Sequence, residues 1–139
     1  MSLAIIRSAM ESRLSDWAAS QSPPIPISWQ NAAFTPPAQA RYLRAFLLPA
    51  DTQDYGIADD VKSEIGVFQV SVCVPEGAGA NPAEALADAI VALFPRALVM
   101  NRSGLDIQVS NTPSASPGTP EPGLYVVPIN IRYRAEIAT

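Results

Sequence analysis

The stretch from Gly66 to Pro95, GVFQVSVCVPEGAGANPAEALADAIVALFP, changes its hydrophobic period in the middle, and this restricts the fold more than any other feature. Large apolar residues alternate with smaller or polar ones from Phe68 to Val74, which is the period of a β-strand. After the turn PEGAGA the apolar residues recur at helical spacing, between Pro82 near the start and Pro95 at the end. We therefore predict a half-buried strand followed directly by a helix that Asn81 caps.

The remaining hydrophobic patterns predict one more helix and several strands. Residues 2–20 carry one apolar stripe at helical spacing, made of Leu3, Ile6, Met10, Leu14 and Trp17. Strand patterns occupy residues 25–34, 41–49, 97–100, 105–109 and 124–134. Both faces of 41–49 are apolar, so we expect this strand to be covered on two sides. Pro128 cannot donate a backbone hydrogen bond, which predicts that the last strand lies at a sheet edge or has a bulge there.

This order of elements predicts the fold class. We expect an α+β fold in which two helices pack on a largely antiparallel sheet of about five to six strands. The length of 139 residues favours one domain over the whole chain, 1–139. Two segments lack periodicity and are predicted to be long loops: the acidic segment 51–62 and the proline-rich segment 111–123, which we expect to be mobile.

Composition argues against several classes of function. The net charge is −4, and no basic cluster is larger than the pair Arg132 and Arg134, so the sequence does not predict a nucleic-acid-binding surface. No apolar run approaches the roughly 20 residues of a membrane-spanning helix. Histidine is absent, which removes the usual general base near neutral pH and the commonest zinc ligand. A single cysteine cannot form an internal disulfide bond.

Two features of the opening stretch could carry chemistry, and each has a simpler structural interpretation. The turn contains Gly77 and Gly79, but a dinucleotide-binding fingerprint needs a third glycine where this chain has Pro82. Cys73 lies in the middle of the predicted strand, and no histidine is available to lower its pKa. We therefore interpret the turn as a connection and the cysteine as a small strand residue.

Four aspartates are close together in the acidic segment and could in principle hold a hard cation: Asp51, Asp54, Asp59 and Asp60. Their spacing does not match a calcium-binding loop, so a solvated or partner-facing loop is the better interpretation. The sequence thus predicts no catalytic residue, no cofactor and no metal. We expect a protein that is not an enzyme.

Five segments follow one another along the chain: IIRSAMESRLSDWA, ISWQNAAFTPP, YLRAFLLPA, EIGVFQVSVCVPEGAGANPAEALADAIVALFP and GLYVVPINIRYR. In this order they resemble the tail terminator proteins of lambda-like long-tailed bacteriophages and prophages. The resemblance implies a structural subunit that forms a hexameric ring on the head-proximal end of the tail tube. Such a ring stops tube polymerisation and presents a docking surface for the head. A phage neck or head-completion protein and a small binding module are the alternatives.

The resemblance also implies partners and a location. The partners are further copies of the chain, the tail tube protein and a head-completion or connector protein. Assembly takes place in the cytoplasm of the bacterial host, and the mature subunit lies in the tail-neck region of the virion. We expect contacts with these partners at the four aspartates, which could meet the arginines of the next subunit, and on one strand face. The candidate contact residues are Asp51, Asp54, Asp59, Asp60, Gln69, Ser71, Arg132 and Arg134.

Overall fold

Two helices pack on one face of a mixed sheet in the computed structural model of the protein, which describes residues 2–55 and 61–138. The helices are α1 (Ser2–Ala19) and α2 (Asn81–Leu93). The strands are β1 (Ile27–Trp29), β2 (Tyr42–Pro49), β3 (Gln53–Tyr55), β4 (Val61–Pro75), β5 (Val99–Arg102), β6 (Leu105–Val109), β7 (Ser114–Ala115), β8 (Thr119–Glu121) and β9 (Leu124–Ala138). The predicted α+β class is confirmed.

The sheet is built around the two longest strands, β4 and β9, which pair antiparallel over their whole lengths. The strand order is β1-β2-β4-β9-β6-β5, with β3 beside β4 and with β7 and β8 beside β9. Every pair is antiparallel except β1 with β2. Since β4 and β9 lie in the centre, their alternating side chains define the two faces of the sheet.

The face towards the helices, here called the inner face, contains the hydrophobic core. The predicted apolar face of β4 is confirmed, since Phe68, Val70 and Val72 are fully buried and Val74 nearly so. Their partners on β9 are the buried Ile131, Ile129 and Val127, followed by the half-buried Tyr125. The alternation predicted for residues 124–134 is therefore correct as well.

Helix α1 covers part of this core with the middle of its predicted stripe. Ile6, Met10 and Leu14 are fully buried, whereas Leu3 is 45% exposed and Trp17 is half-buried. The core thus covers the middle of the stripe more completely than its two ends, although Trp17 still packs against the core.

Helix α2 begins one residue earlier than the capping pattern predicts. The amide of Glu84 donates to the carbonyl of Ala80 at 3.1 Å, so Ala80 holds the cap position and Asn81 is the first helical residue. No side chain caps this end, and the prediction of an Asn81 cap is wrong. Pro82 is therefore the second helical residue, whereas the capping pattern predicts that it is the first. It still lies in the first turn, where a backbone N–H would have no partner within the helix.

The predicted strand 25–34 is much shorter in the structure. Only Ile27–Trp29 forms a strand, and it pairs parallel with β2. Asn31 has a φ of +56°, a left-handed conformation that ends an extended chain. The prediction that 41–49 is covered on both sides holds at its start but is wrong at its end, where Leu48 is 45% exposed.

Both predicted loops contain short strands. Residues 53–55 form β3 and pair with the first residues of β4, while the segment 56–60 lies outside the described residues. Within 111–123, β7 and β8 pair with β9. Because β9 extends well beyond β6, its free backbone groups offer partners that a local sequence pattern does not reveal.

Pro128 lies where the pairing between β9 and the β7–β8 segment is interrupted. The carbonyl of Pro128 accepts a hydrogen bond from the amide of Ser116 at 2.8 Å. The N–H and C=O of one residue point to the same side of an antiparallel strand, so the hydrogen bond that Pro128 cannot donate would also have gone towards this segment. Residues 116–118 lie opposite only 127–128, an irregularity of the bulge type. The bulge prediction is therefore supported, but the edge alternative is wrong, because β9 lies inside the sheet.

Candidate functional site

The sheet face turned away from the helices, here called the outer face, presents the second set of alternating side chains of β2, β4 and β9. The pairing register brings Tyr42, Cys73 and Val126 into one row near one end. Leu48, Val67 and Arg132 form a row nearer the other end. The first row is buried and the second is not, so the outer face has two different halves.

The first half is covered by the segment that follows β1. Tyr42, Cys73 and Val126 form a second small apolar cluster, against which Phe34 and Leu124 pack. The ring centroids of Phe34 and Tyr42 are 5.3 Å apart. This cluster explains why the outer face is apolar at the start of β2 although the main core lies on the other side.

Arg44 connects this half of the outer face to β8. Its Nη1 lies 3.2 Å from each carboxylate oxygen of Glu121, and its Nη2 donates to the Tyr42 hydroxyl at 3.2 Å. Both charged side chains remain partly exposed, so the pair stabilises the fold by about 1 kcal/mol at most. The pair thus links a side chain of β2 to one of β8, a strand whose backbone pairs with β9.

The second half of the outer face is an apolar strip bordered by cations. Leu48 is 45% exposed, and Phe46 and Val67 are half-buried beside it. Arg132 and Arg134 are exposed next to the strip, and neither forms an ion pair with another residue in the described ranges. Apolar surface combined with arginine is typical of protein–protein interfaces.

A concave surface adjoins Arg134, between the end of α2 and strands β6 and β9, and is here called the cationic groove. Its lining residues are Arg96, Ala97, Gln108, Val109, Ser110, Asn111 and Arg134. The groove has two guanidinium groups and no carboxylate among these residues. On the other side of Arg134 lies a second concavity, whose lining includes Asp106 and Glu136.

Cys73 has no features of a reactive thiol. It is fully buried, and its Sγ donates only a weak hydrogen bond to the carbonyl of Ser71, at 3.9 Å. Burial raises the pKa of the Cys73 thiol, and the nearby Arg44 guanidinium and the Tyr42 hydroxyl offset only part of this effect. A buried neutral thiol is a poor nucleophile, so the interpretation of Cys73 as a small strand residue fits its surroundings.

We expect the stability of the protein to fall at alkaline pH. Burial raises the folded-state pKa of the Cys73 thiol, and burial followed by the Glu64 carboxylate raises the pKa of the Tyr133 hydroxyl. Both groups therefore stabilise the fold fully below their unfolded pKa values, about 8.5 and 10, and lose this contribution as the pH rises past them. Urea unfolding at pH 7, 9 and 10.5 measures the decline.

The Cys73→Ala variant is the control for the first of these two steps. Without the thiol, the unfolding free energy should stay at its pH 7 value until the Tyr133 hydroxyl begins to ionise, above about pH 10. An unfolding free energy of the natural chain that is constant or rises between pH 7 and 10.5 contradicts the prediction.

The family model for phage tail terminator proteins matches residues 5–133. The chain belongs to the phage tail terminator family. A solved structure is 42% identical to this tail terminator, with a TM-score of 0.85, and the match covers 100% of this chain and 99% of the other. Six chains of solved structures match in all, whereas no curated protein does.

Family membership assigns this tail terminator a structural role in phage tail assembly and a place in the virion tail. The family is one of structural proteins rather than of known enzymes. Neither of the two helices described is long and apolar enough to cross a membrane. Within the ranges 2–55 and 61–138, no group of three or more acidic or cysteine side chains is arranged to hold a metal ion.

Four of the residues predicted as contacts lie together on the outer face of this tail terminator. Arg132 and Arg134 are exposed neighbours on β9, and Gln69 lies half-buried one strand away. The Gln69 amide donates to the side chain of Asn130 at 3.0 Å. Ser71 belongs to the same face but is only 6% exposed, so the isolated subunit presents little of it to a partner.

The predicted acidic contacts lie elsewhere in the subunit. Asp51 and Asp54 are exposed at β3, separated from Arg132 by the whole width of β4. Asp59 and Asp60 lie outside the described residues. The contact role of all eight residues stays a prediction.

Sequence reasoning missed Arg96 and Gln108, which line the cationic groove together with Arg134. Gln108 had a usable signal, since it alternates with the buried Ile107 and Val109 and must therefore face away from the core. Arg96 follows the proline that ends α2, and nothing in its local pattern indicates that it lies near β9.

Proposed function

We propose that this tail terminator assembles as a hexameric ring on the head-proximal end of the tail tube, stops the growth of the tube and provides the docking surface for the head. The match of the family model over residues 5–133 carries the proposal. A terminator must bind the growing tube on one side and offer no equivalent surface for the next tube subunit. Its function therefore depends on shape and contact surfaces rather than on a reaction centre.

The distribution of surface features supports a ring subunit. The chain has an uncovered apolar strip on the outer face, at Phe46, Leu48 and Val67, with exposed arginines beside it. Acidic side chains are exposed at a different place, beside β3. A ring made of identical subunits uses heterologous contacts, in which two different surfaces of each copy meet.

Tube growth in vitro tests the proposed function. We expect that adding this protein to polymerising tail tube subunits gives tubes of limited length, with one end blocked, as measured by electron microscopy. Adding heat-denatured protein at the same concentration is the control and should leave growth unchanged. Tubes that continue to lengthen at both ends in the presence of excess folded protein would refute the proposal.

A second measurement tests head docking separately. Tubes capped by this protein should bind a head-completion or connector protein of the same phage, and uncapped tubes should not. Equal binding to both kinds of tube contradicts the docking role while leaving the capping role intact.

A further inference from the structure

Near Arg134 the sheet carries exposed acidic residues at its β3 edge and the cationic groove beside β6 and β9. There the strands run in the order β3, β4, β9, β6, β5. Neighbouring strands lie about 4.8 Å apart, so β3 and β6, which lines the groove, are separated by about 14 Å. The β3 edge and the cationic groove beside β6 are therefore different surfaces of one subunit.

The β3 edge is acidic. Asp51 and Asp54 are both exposed, and neither forms an ion pair with another side chain of the described ranges. The cross-strand neighbour of Asp54 is Lys62, which is half-buried. The carboxylates thus remain available to a partner, although one cation lies beside them.

The cationic groove has the complementary chemistry. Arg96 and Arg134 are exposed at its two sides, and Gln108 and Asn111 add neutral polar groups between them. Guanidinium groups donate paired hydrogen bonds to carboxylates, and a concave site limits competition from water. Arg134 also lines the adjoining concavity, together with Asp106 and Glu136. Within the described ranges neither Arg96 nor Arg134 forms an ion pair with a carboxylate, so both guanidinium groups remain available to a partner.

We propose that the cationic groove of one copy receives the acidic β3 edge, with Asp51 and Asp54, of a second copy of this chain. The inference rests on the proposed function and names the contact that closes the ring. Each copy offers one acidic edge and one cationic groove, so the contact is heterologous and propagates head to tail. Charge complementarity also orients the approach and disfavours groove-to-groove pairing.

Charge reversal on each side separately tests the contact. The groove variant is Arg96→Glu with Arg134→Glu, and the edge variant is Asp51→Lys with Asp54→Lys. All four positions are exposed, so we expect both variants to fold, as checked by circular dichroism. Each variant alone should form rings about 100-fold less readily than the natural chain, because two attractive contacts become repulsive at every interface.

Combining the changes should restore assembly. In an equimolar mixture of the two variants, the groove of each copy meets an edge of opposite charge on the other variant, so alternating rings can close. A single chain that carries all four substitutions should also assemble. Native mass spectrometry measures ring formation in solution. The mean length of tubes grown in the presence of each variant measures whether the rings still cap them.

The matched control reverses two acidic residues elsewhere. Glu84 and Asp88 are exposed on α2, and Glu84→Lys with Asp88→Lys changes the net charge as much as the edge variant does. This control should assemble like the natural chain. If it fails to assemble while the edge variant succeeds, α2 supplies the occupant of the groove and the proposal is wrong.

The remaining outcomes separate this inference from the proposed function. If the natural chain shortens tubes and both single-sided variants do so equally well, the pairing is wrong and the capping function stands. Loss of assembly without recovery in the mixture also overturns the pairing. If the natural chain forms rings in solution that show the predicted charge dependence but do not stop tube growth, the pairing stands and the capping function fails.

Discussion

Replacing Phe68 with alanine is expected to destabilise the fold by about 3–5 kcal/mol. Phe68 is fully buried at the centre of β4, with its ring centroid 6.1 Å from that of Phe94 at the end of α2. Removing the ring leaves a cavity where the sheet and the helix meet, and the rigid β4–β9 pairing restricts how far the neighbours can move to fill it. Urea denaturation at neutral pH measures the loss.

Phe46 provides the matched control, because it is the same residue type on the opposite face of the sheet. It lies half-buried on β2, so Phe46→Ala removes less buried surface and should cost about 1.5 kcal/mol or less. An equal loss in the two variants contradicts the assignment of the inner face as the core. If the outer face is a contact surface, Phe46→Ala should weaken assembly more than it weakens folding.

Replacing Gly66 with alanine is expected to cost about 1–3 kcal/mol, although the change adds only one methyl group. Gly66 lies on the inner side of β4 opposite Tyr133, whose ring is packed over it. A Cβ at this position would lie 2.7 Å from the carbonyl oxygen of Leu48 and 2.7 Å from Cζ of Tyr133. The backbone oxygen cannot move without disturbing the pairing with β2, so strain remains in the folded state.

A double-mutant cycle with Tyr133→Phe separates the two sources of strain. The Tyr133 hydroxyl is the nearest atom to the added methyl group, so Gly66→Ala should cost less in the Tyr133→Phe background than in the natural chain. Urea unfolding of the four proteins gives the coupling free energy. A Gly66→Ala variant as stable as the natural chain would show that Tyr133 and β2 adapt freely.

The outer face shows how far the candidate contacts followed from the sequence. Alternation alone placed Gln69 with Ser71, and Arg132 with Arg134, on common strand faces, because side-chain direction has a strict period of two. That these two pairs share one face of one sheet depends on the register of β4 with β9. Local patterns contain no information about register, so the joint surface appears only in the structure.

The cationic groove is a stronger example of the same limit. Arg96 and Arg134 are far apart along the chain, and they line one concavity because α2 ends beside the strands that follow it. The burial of Ser71 and Cys73 likewise depends on distant parts of the chain, since the cluster beside Cys73 includes Phe34 and Leu124. Contacts of this kind cannot be deduced from periodicity.

The sequence by itself determined the α+β class, the two helices and the apolar faces of β4 and β9. These properties depend on near neighbours along the chain, since the position of each side chain follows from the local helical or strand period. Only the tertiary structure decided that β3, β7 and β8 join the sheet, that half of the outer face is covered, and that the acidic β3 edge and the cationic groove lie apart. Those outcomes depend on which distant segments meet, because backbone groups and apolar surfaces left free by one element are satisfied by another.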